Sequence, residues 1–308
     1  MGAILIFVAA CFGLSIALSL VIGLTGGHES ALIGLAYLSM FLPAIAVVLV
    51  RAIRDEPPRV NWASFPMRYL AVALFLIPAV LHAVMLPAMA ALGGGLRWQE
   101  WLTPHADGLY HAPASRGWGT LTAQGLAGHI VVNAIVGLLM VSFLAVFEEI
   151  GWRAWLLPRL ADRLGFRLGT VFTSFIWAIW HVPFQLSGIQ HIDGISPVNL
   201  ALSIPFGIMA TGLILGWLWC RTGSIWLVAI AHGSANNWGQ YAFKYMQDAG
   251  APDREMMAVN LGSLALFIVG AILLCCAGGT ASGNRLPSVP AGVDRDSQLG
   301  YGSRGKIL

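Results

Sequence analysis

The sequence predicts an all-α fold: a polytopic helical membrane protein of about eight transmembrane helices, with a candidate active site between the fourth, fifth and seventh. Three observations predict it. Hydrophobic residues fill 57% of the 308 positions and charged residues only 10%, against roughly a quarter charged in soluble domains. The apolar residues fall in runs of about 20, the length that crosses a bilayer as helix. Inside lipid, helix also satisfies every backbone amide within its own segment.

Eight stretches qualify, at about 3–24, 31–50, 69–92, 126–147 with an extension toward 160, 168–188, 198–220, 224–243 and 256–278. The first begins almost at Met1 without a basic leader, so it reads as a span and not as a signal peptide. Neither a myristoylation signal nor a prenylation cysteine is expected to anchor the ends. The connection from Gly93 to Gly125 is the longest and carries Trp98, Trp101, Tyr110 and Trp118, residue types that suit a membrane interface. From about residue 281 the chain turns to Gly, Ser, Pro and charge, which predicts a disordered tail. Cys11, Cys220, Cys275 and Cys276 lie in or beside apolar runs, at spacings that match neither a disulfide framework nor a zinc knuckle.

Basic residues set the expected orientation. Arg51, Arg54, Arg59, Arg68, Arg153, Arg159, Arg163, Arg167, Arg221, Arg285, Arg295, Arg304 and Lys306 fall on one side, and Arg97, Arg116, Lys244 and Arg254 on the other. That asymmetry predicts an integral, multi-pass protein with both termini in the cytoplasm. A formal charge of +3 gives no argument for nucleic acid. Membrane lipids are the expected surroundings.

Of the acidic residues, only Glu148 and Glu149 fall within a long apolar helical stretch, Phe143 to Leu157. An ionisable group there costs several kcal/mol and by default marks a functional site. Trp152, Trp155, Leu156 and Leu157 continue the apolar face, so the helix should run past Glu149. Glu149 and Arg153 stand at i,i+4, where a carboxylate and a guanidinium meet. Glu148, turned about a hundred degrees away by the 3.6-residue repeat, is left free as a base.

Depth brings in the remaining residues. At about 1.5 Å per residue, Glu148, His181 and His232 lie roughly 18, 20 and 14 Å from the cytoplasmic boundary. Asn236 follows His232 by four residues and faces the same way. A carboxylate, two imidazoles and a carboxamide in a wet cavity can deprotonate water, stabilise an oxyanion and protonate a leaving amine. The same side chains could instead hold zinc through His181, His232 and Glu148, and spacing does not choose between the two. His129 and Asn133 repeat the His-x-x-x-Asn spacing but sit far up the Glu148 helix, and read as interfacial polar residues.

Read together, Glu148-Glu149-Ile150-Gly151-Trp152-Arg153, then Trp177 to His181, then His232 to Asn236 resemble the CPBP intramembrane proteases, the family that groups CAAX prenyl endopeptidases with bacteriocin-processing and immunity (Abi) proteins. The resemblance covers about residues 140–240. Trp177 stands where the family usually has phenylalanine. The resemblance implies that Glu148 and His181 activate water, that His232 and Asn236 serve the oxyanion or bind metal, and that Glu149 and Arg153 support the site, with Trp177 packed beside them. It also implies a peptide or lipidated-protein substrate.

The expected organisation is 1–125 as N-terminal transmembrane helices and external loop, 126–245 as a CPBP-like catalytic core, 246–280 as the last transmembrane helix and 281–308 as a disordered cytoplasmic tail. Two other readings fit the same residues. Buried glutamates and histidines also line proton paths, which makes a transporter or proton-relay protein the second class, although no inverted repeat is legible. A non-proteolytic immunity or chaperone protein of the same fold is the third.

Overall fold

The computed structural model describes residues 2–54, 57–60, 62–93, 104–111, 120–192, 194–246 and 252–277. The expected tail 281–308 and the residues Trp98, Trp101 and Trp118 lie outside them. Among the described residues, eight long helices build the fold: α1 Gly2–Leu24, α2 Leu42–Arg54, α3 Leu70–Ala91, α4 Ala123–Leu164, α5 Phe166–Trp180, α6 Pro197–Thr222, α7 Ile225–Met246 and α8 Pro252–Ala277. A short antiparallel ladder pairs Tyr110 with Leu121 and His111 with Thr120.

Among the described residues, six segments are long and apolar enough to cross a membrane: Gly2–Leu24, Ile33–Arg54, Met67–Ala91, Ala123–Leu164, Pro197–Thr222 and Pro252–Ala277. The molecule is therefore a multi-pass membrane protein. The second of these enters through a 3-10 stretch, Ile33–Phe41, before α2 begins. α5 and α7 fall outside the set, and they carry the polar residues of interest. α7 holds His232, Ser234, Asn236 and Asn237 in mid-helix. The span expected over 168–188 is interrupted: α5 ends at Trp180, the chain turns at His181, and a five-residue helix, Val182–Leu186, follows. Pro183 explains the break, since it lacks an N–H and restricts the residue before it.

α4 is 42 residues long, about 63 Å at the helical rise, so it extends well beyond a hydrocarbon core of about 30 Å. It continues past Glu149 as expected, but it is not uniform. Asn133–Gly137 and Ile150–Leu156 are π-helical, and such wide turns leave backbone groups out of register with the usual ladder. At the second, Gly151 lies against Pro43 of α2 with no room for a Cβ. Every residue from Gly151 to Leu157 is buried. Arg153, assigned by its sequence position to a cytoplasmic loop, is among them, so it does not count toward orientation.

Helix packing follows the rule for membrane interiors, where small residues let backbones approach. α7 lies between α3 and α4, and α6 between α5 and α8. Gly212 and Gly216 of α6 press on Ser174 and Thr170 of α5, and Gly233 of α7 presses on Ser142 of α4. An aromatic wedge fastens α1: Phe7 stacks on Trp155 at 4.7 Å and meets Trp152 edge-on at 5.5 Å. The Trp180 indole N–H donates to the Cys11 carbonyl at 3.2 Å.

Candidate active site

α4, α5 and α7 bring Glu148, Glu149, Arg153, Trp177, His181 and His232 together. Glu148, Glu149, Arg153, Trp177 and His232 are buried, and His181 is half-buried at the end of α5. The expected i,i+4 pair forms: Arg153 Nη1 donates to Glu149 Oε1 at 2.8 Å. The same oxygen accepts from His232 Nδ1, also at 2.8 Å. Glu148 is not in that pair. Its Oε2 accepts from the Trp177 indole N–H at 2.9 Å.

His181 Nδ1 meets the Trp177 carbonyl oxygen at 2.8 Å. A carbonyl can only accept, so the Nδ1 carries the proton and the Nε2 keeps its lone pair. The carbonyl is available because the last turn of a helix leaves its C=O groups without partners, and Pro183 offers no N–H to help satisfy them. His232 has a different partner. Its Nδ1–H donates to the Glu149 carboxylate, which fixes the orientation of the ring.

Trp177 is the common neighbour. Its ring is met edge-on by His232 at 5.2 Å and by His181 at 5.5 Å, and the Arg153 guanidinium lies over it at 4.5 Å. Glu149 Oε2, Arg153 Nη2 and Trp152 Nε1 are buried without a protein partner among the described residues. Atoms in that state are the ones internal water serves.

Asn236 follows His232 by one turn and is exposed. The adjacent Asn237 is buried and donates to the Asn133 carbonyl of α4 at 3.0 Å. Asn237 was not singled out by the sequence. The doublet Asn236-Asn237 was its only signal, and the i,i+4 rule selects the first member. Among the described residues, no three His, Cys, Asp or Glu side chains are grouped to hold a metal ion.

The fold and this cluster define a class, a multi-pass helical membrane protein with a buried acid and imidazole site on three helices. The family model described as "Type II CAAX prenyl endopeptidase Rce1-like" matches residues 129–238, the segment that holds all of these groups. CAAX prenyl protease 2 of Methanococcus maripaludis is 24% identical over 125 residues, 40% of this chain and 46% of that protein. Over that segment the chain is similar to the Rce1-like type II CAAX prenyl endopeptidases, and it spans less than half the length of that relative.

Proposed function

We propose that the protein is an intramembrane endopeptidase that hydrolyses peptide bonds of membrane-associated or lipidated substrates, with residues 126–245 as its catalytic core and both termini in the cytoplasm. The observation that carries the proposal is the pair of histidines with different Nδ1 partners, packed with Glu148 around Trp177. His181, bonded to a neutral carbonyl, keeps the lone pair on Nε2. His232, bonded to the Glu149 carboxylate, is the ring we assign to carry a proton on Nε2.

Those two states suit two roles. Glu148, with His181 beside it, takes a proton from water as the water oxygen attacks the scissile carbonyl carbon. His232 Nε2–H and the Asn236 carboxamide donate to the oxygen that becomes negative. When the C–N bond breaks, the proton held at Glu148 passes to the leaving amine. Glu149 and Arg153 hold the His232 ring in place without touching the substrate. The name of the matched family and of the archaeal relative points to a prenylated C-terminal peptide as the first substrate to try.

The test is cleavage of a farnesylated peptide ending in Cys-aliphatic-aliphatic-X by the protein in proteoliposomes, with products identified by mass spectrometry. Glu148→Gln and His181→Ala should each lose about 10²–10⁴-fold in kcat, the usual contribution of a positioned acid or base, while inserting normally. Full turnover in either variant overturns the assignment of roles. No product from the wild-type protein, with pH-dependent solute flux instead, replaces the reading with a proton-coupled transporter.

A further inference from the structure

We propose that Trp177 is a positioning residue whose indole N–H fixes the Glu148 carboxylate in the site. This rests on the reading that Glu148 and His181 handle the proton of the attacking water. Two groups of one residue hold both partners: the side-chain N–H holds Glu148 at 2.9 Å and the main-chain carbonyl holds His181 Nδ1 at 2.8 Å. Because the two anchors are on one residue, the separation of the acid and the imidazole is set by the internal geometry of a single tryptophan. The ring is held in turn, with Arg153 over its face and His232 in T-shaped contact with it at 5.2 Å.

A phenylalanine at this position would supply the ring and the carbonyl but not the N–H. The carboxylate would then lose its protein donor in a buried setting, where a hydrogen bond to a charged group is worth more than one to a neutral group. Glu148 and Trp177 are both buried, so bulk water does not compete for the bond. Substitution by phenylalanine therefore separates packing from hydrogen bonding.

The experiment compares wild type, Trp177→Phe and a protein carrying 3-benzothienylalanine at position 177, an indole isostere with sulfur in place of N–H, in the proteoliposome assay above. Both changes should lower kcat by about 10- to 100-fold, the size of a hydrogen bond to a charged group, with KM held within about twofold because ground-state binding is untouched. Wild-type kcat in the isostere overturns the proposal and leaves a packing role. A second readout is independent of turnover. The indole 15N–1H resonance that Trp177→Phe removes should shift in Glu148→Ala, and an unshifted resonance overturns the proposal. If Glu148→Gln is itself fully active, the functional reading fails, and that result is distinct from a failure at Trp177 alone.

Discussion

The two π-helical turns of α4 put similar residues to different use. Around Ile150–Leu156, Glu149, Arg153 and Trp152 are buried beside Glu148, and polar atoms outnumber their protein partners. Around Asn133–Gly137 the side chains of both helices donate to main-chain carbonyls of α4. The Asn133 side chain donates to the His129 carbonyl at 3.1 Å. The Asn133 and Ala134 carbonyls accept from Asn237 and from the Trp238 indole at 3.0 and 3.2 Å. One turn gathers groups with unspent hydrogen-bonding capacity, and the other fastens α7 to α4. A His-x-x-x-Asn spacing occurs both on α4, as His129 and Asn133, and on α7, as His232 and Asn236, so the spacing by itself does not mark chemistry. What distinguishes them is whether the partners are charged and what is left over.

Variants at the two turns should therefore fail in different ways. The largest effect is on turnover at the first: Glu148→Gln should lose about 10²–10⁴-fold in kcat with thermal unfolding in detergent close to wild type. Next comes Arg153→Ala, which takes the guanidinium from the buried Glu149 and leaves it only His232, and should cost about 3–5 kcal/mol of stability, read as a lowered midpoint in the same unfolding assay. At the second turn, Asn237→Ala leaves the Asn133 carbonyl without its donor and should cost about 1–3 kcal/mol. Its folded fraction should turn over at close to the wild-type rate, and a specific loss of kcat there would erase the contrast. The smallest effect belongs to Cys276→Ser at an exposed position, expected within about 0.5 kcal/mol of wild type.

Much of this was legible in the sequence, and the failures have physical causes. The apolar runs gave the helices because lipid allows little else, and the i,i+4 spacing gave the Glu149–Arg153 pair because it depends on one helix alone. Glu148, His181 and His232, read from helical rise at similar depths, all pack around Trp177. The π turns were not legible, since Gly151 takes its place from the approach of Pro43 on another helix. Asn237 was missed for a related reason, because its partner is a carbonyl of α4 that a π turn presents. The break at His181 was written in Pro183, yet the apolar run through Leu186 outweighed it in a reading by hydropathy. The donor role of Trp177 could not be read from a motif position that records only an aromatic ring.

The central claim is that Glu148 and His181 act on one water in one pocket, and a double-mutant cycle tests it most directly. Residues that work as a unit lose little more together than either loses alone. The kcat of Glu148→Gln/His181→Ala on the farnesylated peptide is predicted to match that of the poorer single variant. Losses that multiply would mean that the two groups act independently, and would contradict the account.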